Sequence, residues 1–405
     1  MLTALAVEAD VLVEQERGRS ESGVLDSPTL SRREDGARPK YYCYPPYIAA
    51  ALKKYFRKKL LDWNEQSNRR KMPWKGIKNP YRIWLSEIIL QQTRVEQGTA
   101  YYEKFVKAFP KVQGLAAASE DRVMKLWEGL GYYSRARNLH AAAQYVAHDL
   151  GGKFPDSYDE ILKMKGVGPY TAAAIASFAF NEARAVVDGN VYRVLSRFFD
   201  LPAAIDSTAG KKQFAALAQE LIHPKRAAHY NQAIMDFGAT ICTPAKPLCA
   251  SCPFKRKCLA LSNDTVATRP VKEKKLKKRL RYFYFFLPHN DPFVYLEKRE
   301  AKDIWQRLYQ LPLLETSALC SEPALLQEMM NTGFRKNVRI CDQSKVYKHV
   351  LTHQTIFAQF VSIKAGSFGS KRLKTLIKVP FERLNDYAYP RLIDCYFREK
   401  RIYLE

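Results

Sequence analysis

From Tyr47 to about Leu261, apolar residues recur at spacings of three and four, in short runs broken by Gly, Pro and Asn. This pattern predicts helices over Tyr47–Trp63, Tyr81–Leu90, Tyr101–Phe109, Glu120–Gly129, Ser134–Leu150, Tyr158–Lys163, Pro169–Phe180 and Val191–Phe199. No strand stands out there, so this part reads as all-α. Beyond residue 281 the texture changes. Tyr282–Leu287, Phe293–Lys298, Val346–Val350 and Thr355–Ser362 are aromatic and β-branched with partial alternation, which predicts strands, while Leu325–Met330 and Pro390–Lys400 look helical. The expected organisation is multidomain: a disordered segment over 1–42, an all-α domain over 43–265, a linker over 266–281 and an α+β domain over 282–405. The linker carries seven Lys/Arg in the ten residues from Lys272, and reads as a solvated tether or as a strap on phosphates.

Charge sharpens this picture. Lys and Arg number 66 against 41 Asp and Glu, a formal net charge of +25. Residues 1–40 hold eight acidic and six basic residues, so the excess belongs to the rest of the chain. A polyanionic partner follows, with nucleic acid ahead of anionic lipid because no basic amphipathic helix stands out. No apolar run approaches the roughly 20 residues of a membrane span. The stretch Met1–Val13 carries Glu8 and Asp10 and lacks the basic start of a secretory signal.

Of eight cysteines, Cys242, Cys249, Cys252 and Cys258 crowd into 17 residues with the spacing Cys-x6-Cys-x2-Cys-x5-Cys, while Cys43, Cys320, Cys341 and Cys395 are scattered. A long, non-secretory chain does not suit a disulfide framework. Four such thiolates suit an iron–sulfur cubane, or a structural zinc ion, although zinc ribbons usually offer two Cys-x-x-Cys pairs and here there is one. Lys246, Lys255, Arg256 and Lys257 interleave the loop.

Three further segments carry candidate chemistry. In Met164–Thr171, Gly166 and Gly168 permit a tight turn around Val167, and Pro169 stands where a helix would begin, so free backbone N–H groups could meet a phosphate. About 20 residues on, Val187-Asp188-Gly189-Asn190-Val191 reads at least as a turn and a helix cap. On a helix, Glu87 lies three and four positions from Trp84 and Ile83 and beside Ile88. That places a carboxyl on an apolar face, where burial raises its pKa toward that of a general acid; an exposed helical Glu is the alternative.

Together the glycine hairpin, Asp188 and the cysteine loop resemble the endonuclease III-like helix-hairpin-helix iron–sulfur superfamily. Pro73-Trp74, Trp84-Leu85-Ser86-Glu87 and Gln91-Gln92-Thr93 are similar to the adenine DNA glycosylase family within it. The resemblance implies that Glu87 and Asp188 are catalytic and that Tyr170 and Asn190 position them. It implies that the four clustered cysteines hold a [4Fe-4S] cluster, and that Gly166, Val167 and Gly168 contact the DNA backbone. Arg70, Trp74, Leu90, Gln91, Gln92 and Thr93 would face the base or its strand. Lys165 stands where the family usually has Pro. Tyr132, within Gly129–Leu139, matches a tyrosine inserted into the DNA stack. Tyr170 occupies the place of the Schiff-base lysine of bifunctional members, so no dedicated lyase step is expected.

The C-terminal part resembles a Nudix-like lesion-recognition domain through Trp305–Pro312 and His349–Gln354, without the glutamate-rich helix of Nudix hydrolases. Leu351, Thr352 and His353 stand where the family commonly carries Phe-Ser-His, keeping a hydroxyl and losing an aromatic wedge; His353 could equally be structural. The implied partner is double-stranded DNA with adenine opposite 8-oxoguanine, or more weakly guanine, acted on by a monomer in a bacterial cytoplasm and leaving an abasic site. A bifunctional oxidised-pyrimidine glycosylase/lyase and a non-catalytic lesion-binding protein remain the alternatives.

Overall fold

The computed structural model describes residues 46–274, 278–364 and 366–402; the segment 1–42, expected to be disordered, lies outside them. Helices come first in the chain: α1 (Pro46–Gln66), α2 (Pro80–Leu90), α3 (Val95–Ala108), α4 (Val112–Ala116), α5 (Glu120–Trp127) and α6 (Ser134–His148). They continue as α7 (Tyr158–Leu162), α8 (Pro169–Phe180), α9 (Gly189–Phe198), α10 (Thr208–Leu221), α11 (Ala227–Thr240) and the short α12 (Leu259–Ser262). No strand occurs among the described residues before Arg279. The chain divides into two compact units, with the cut falling inside α2: residues up to Glu87 join Pro155–Glu273, and Ile88–Phe154 join Lys274 onward.

The core of the first unit gathers Phe56, Leu60 and Trp63 of α1, Ala173 and Ala174 of α8, Val191, Val194, Leu195 and Phe198 of α9, Phe214 and Leu221 of α10, and Phe237 of α11. Helix α8 is buried along Thr171–Ser177, which is why its sequence is apolar nearly all round. Phe254, from the cysteine loop, stacks on Phe56 at 4.9 Å and meets Phe237 edge-on at 5.0 Å. Burying such a ring contributes roughly 1.5–3 kcal/mol, so packing anchors the loop. Helices α10 and α11 do not stand out in the periodicity. Ser207 caps α10 by accepting from Gly210 N–H at 3.0 Å, and the buried faces rely heavily on alanine and glycine.

In the second unit, Trp127 of α5 packs edge-on against Phe105 of α3 at 5.7 Å. The chain then forms β1 (Arg279–Pro288), β2 (Phe293–Lys298), β3 (Tyr309–Gln310), β4 (Leu313–Thr316), α13 (Glu322–Asn331), β5 (Ile340–Gln343), β6 (Tyr347–Val350), β7 (Gln354–Ile363), α14 (Ser370–Leu373), β8 (Ile377–Pro380) and α15 (Arg391–Glu399). The larger sheet runs β4-β1-β7-β5, with β6 also on β7; the smaller runs β3-β2-β8. β1 and β7 are parallel from Arg279↔Gln354 to Pro288↔Ile363. Tyr284, Phe286, Val361, Leu325 and Met329 close a core between sheet and α13. Strands β3, β4, β5 and β8 are two to four residues long, too short for alternation to announce them. No described helix is long and apolar enough to cross a membrane.

Candidate functional site

Three elements of the first unit converge on one carboxyl. Glu87 lies in the last turn of α2 and is 7% exposed. Tyr170, the second residue of α8, donates its hydroxyl to Glu87 Oε2 at 2.8 Å. Burial pushes Glu87 up to about 7; the Tyr170 hydrogen bond pulls it down and the charge of Asp188 pushes it further up. The Tyr170 phenol is itself held well above its ordinary value, chiefly by burial and then by the two carboxylates, so it stays a donor.

Asp188 is the N-cap of α9. Its Oδ1 accepts from Val191 N–H at 2.8 Å and its Oδ2 from Asn190 Nδ2 at 2.7 Å. Burial raises its pKa, opposed by those bonds and by Arg193. Asn190 is fixed in turn: Arg193 donates to Asn190 Oδ1 at 2.7 Å, to Gly238 O at 2.7 Å and to Cys242 O at 2.7 Å. A Cβ on Gly238 would stand 2.7 Å from Asn190 Cβ, so α11 can approach α9 this closely only without a side chain there. The structure thus brings Glu87, Tyr170, Asp188 and Asn190 together.

Arg70 and Trp74 lie in the segment between α1 and α2. Trp74 is buried. Arg70 pairs with Asp236 Oδ1 and Lys75 with Asp236 Oδ2, both at 2.9 Å, and the Asp236 side chain is fully buried. Asn68 and Gln232 complete its shell at 2.9 and 3.1 Å. Leu90 ends α2, and Gln91, Gln92 and Thr93 form the turn after it, with Gln92 in the left-handed region at φ 55°.

In the hairpin, Gly166 has φ 75°, a conformation that favours glycine. Val167 is buried, and Gly168 caps α8 with no side-chain hydrogen bond, followed by Pro169. Past α11, Cys242, Cys249, Cys252 and Cys258 are all free thiols. Each lies within electrostatic reach of the other three, and burial raises Cys242, Cys258 and Cys252, the last to about 12. Among the described residues, no three His, Cys, Asp or Glu side chains converge on a single ion position. Arg197 donates to Thr243 O at 2.7 Å and Pro244 O at 2.9 Å and lies 3.6 Å from Cys242 Sγ. Lys246, Lys255, Arg256 and Lys257 are exposed.

In the second unit, Tyr132 is 37% exposed, and its hydroxyl hydrogen-bonds the Thr352 hydroxyl. Thr352 sits in the tight turn joining β6 to β7, closed by Leu351 N–H to Gln354 O at 2.8 Å; Arg279 N–H ties His353 O to the start of β1 at 2.9 Å. His353 is exposed and Leu351 partly buried.

A family model described as the HhH-GPD superfamily base excision DNA repair protein matches residues 85–224, and a NUDIX domain model matches residues 283–399. An adenine DNA glycosylase of Buchnera aphidicola subsp. Baizongia pistaciae is 33% identical over 325 residues, covering 79% of this chain and 90% of that protein. The chain belongs to the adenine DNA glycosylases. The adenine DNA glycosylase of Homo sapiens is 44% identical over 214 residues, 51% of this chain and 39% of that protein. A solved thermostable thymine-DNA glycosylase aligns with a TM-score of 0.49 at 29% identity, covering 53% of this chain and 99% of that one.

Sequence reasoning passed over three side chains that shape this adenine DNA glycosylase site: Arg193, Arg197 and Asp236. A signal was present for each. Arg193 and Arg197 fall on one helical face with Asn190, and Asp236 is a lone acid within the apolar run Ala233–Phe237. Arg193 and Arg197 are 7% and 4% exposed and Asp236 is fully buried, and buried charges are rare unless paired.

Proposed function

We propose that this chain binds duplex DNA in which adenine faces 8-oxoguanine, or more weakly guanine, extrudes the adenine and hydrolyses its N-glycosidic bond, leaving an abasic site. The observation that carries this reading is the Glu87 carboxyl, held near neutral pH by burial and oriented by the Tyr170 hydroxyl at 2.8 Å. Such a group is a competent general acid at pH 7. Glu87 gives its proton to the purine ring at N7; the C1′–N9 bond breaks, its electron pair leaving with the base. The sugar gains oxocarbenium character, which Asp188 stabilises or captures before water adds. Asn190 and the Val191 N–H hold both Asp188 oxygens, so the carboxylate meets that charge already oriented. Extrusion is required because the bond is inaccessible inside a stacked duplex.

Arg70 and Trp74, with Leu90, Gln91, Gln92 and Thr93 after Glu87, serve the base pocket and the strand beside it. Gly166, Val167 and Gly168 offer the α8 N-terminus to a phosphate. Tyr132 fills the stack, and Leu351, Thr352 and His353 read the oxidised guanine. The four free thiols of Cys242, Cys249, Cys252 and Cys258, each within electrostatic reach of the others, suit a [4Fe-4S] cluster. Its contribution when bound would be shape, with the four cysteine sulfurs as its ligands. The enzyme works as a monomer on chromosomal DNA, in the bacterial cytoplasm.

The test is single-turnover excision on duplexes carrying adenine opposite 8-oxoguanine or guanine, against oxidised-pyrimidine and undamaged duplexes. Abasic sites from the first two, fastest from the first, are expected. Strand nicking at the pyrimidine lesion with borohydride trapping would overturn the reading in favour of a bifunctional enzyme.

A further inference from the structure

We propose that α5 is a strut holding the Leu351–His353 turn against Tyr132, and that Asp121 is the residue that positions it. The proposal rests on the reading of Tyr132 and that turn as the lesion reader. Asp121 lies in the first turn of α5. Its Oδ1 accepts from Lys298 Nζ at 2.6 Å and its Oδ2 from the Tyr309 hydroxyl at 3.0 Å. Lys298 and Tyr309 are register partners across β2 and β3, so one carboxylate spans a strand pair of the small sheet. Beside it, Glu120 accepts from Arg307 Nε at 2.9 Å.

The other end of the helix is pinned as well. Lys125 Nζ donates to Tyr387 O at 2.7 Å, and Glu128 Oε1 accepts from Tyr389 N–H at 2.7 Å. The turn that follows is bonded to the helix through Trp127 Nε1 and Gly131 O at 3.1 Å. It ends in Tyr132, a non-glycine residue held at φ 45°, whose hydroxyl reaches Thr352. A residue in that region stays there only when its surroundings over-determine it. Those surroundings are a two-turn helix clamped to the small sheet at one end and to the chain before α15 at the other.

Loosening the Asp121 end lets Tyr132 and Thr352 drift apart. Discrimination between 8-oxoguanine and guanine then falls, while Glu87 and Asp188, in the other unit, keep their geometry. The experiment compares wild type, Asp121→Lys, Lys298→Asp and the double swap by single-turnover excision of adenine opposite each partner base, together with backbone amide exchange in the folded protein. The single variants are expected to lower the 8-oxoguanine-to-guanine rate ratio by about fivefold and to leave excision opposite guanine unchanged. They also speed exchange over residues 129–133 and 351–354, and the swap recovers most of both effects. Should Asp121→Lys not fold, Asp121→Asn carries the same comparison. An unchanged ratio with unchanged exchange overturns the strut, as does a swap no better than the sum of its singles. A wild type that shows no preference for 8-oxoguanine sinks the lesion-reading assignment instead, and the exchange data then decide the strut alone.

Discussion

Burial lifts the Glu87 carboxyl to about 7 from an ordinary value of 4.5, and the same imbalance that arms it must weaken the fold. Between those values the folded protein holds a proton that the unfolded chain has lost. Stability therefore falls as pH rises across the window, and the cost, on the order of 3 kcal/mol, is complete above about 7. Glu87→Gln removes the titration yet can still accept the Tyr170 hydroxyl. It should melt several degrees above wild type at pH 8 and near wild type at pH 4.5, while excision drops by about 10²–10⁴. Equal offsets in melting temperature at both pH values would sink the assignment of that burial cost. Wild-type excision should also decline as pH passes about 7, following loss of the acid form. Glu87 was legible because Trp84 and Ile83 share its face. Its partner Tyr170 stands 83 residues away, and no local pattern joins them; only the family resemblance did.

Helix α9 runs from its cap Asp188 through Arg197, which lies 3.6 Å from Cys242 Sγ, and its contact with α11 is tight. A methyl at Gly238 would lie 2.7 Å from Asn190 Cβ and 3.0 Å from Asn190 O, one contact being backbone that cannot rotate away. Gly238→Ala should therefore destabilise by roughly 1–3 kcal/mol and slow excision by about tenfold, as Asn190 is displaced from Asp188. Arg193→Lys probes the same joint chemically. A lysine ammonium cannot reproduce the planar fork that reaches Asn190 Oδ1, Gly238 O and Cys242 O together, so a loss of about 1–3 kcal/mol is expected. Urea unfolding and single-turnover rates check both, and a wild-type midpoint for either variant would refute the joint. The periodicity that revealed α8 and α9 could not reveal this contact, because it is made by a glycine and by arginines, residues that sequence patterns assign to turns and solvent. Likewise β3, β4, β5 and β8 exist through their pairing with β1, β2 and β7, which alternation within four residues cannot encode.

At the scale of the molecule, a net charge of +25 says that DNA is held but not where. Exposure narrows it: Lys255, Arg256 and Lys257 stand free of the packing that Phe254 provides between them and the core. Each such contact with a phosphate adds about 0.9 to the slope of log affinity against log salt. Replacing the three by Gln should shallow that slope by roughly two to three. It should also weaken mismatched and undamaged duplexes by the same factor, since phosphate contacts carry no sequence information. The excision rate of bound substrate should not change, because Glu87 and Asp188 are untouched. Affinity titrations at several salt concentrations on both duplexes separate the possibilities. A slope equal to wild type would remove the loop from the DNA footprint. A loss confined to the mismatched duplex would make these residues readers of the lesion, the role proposed above for Tyr132 and the turn at Thr352.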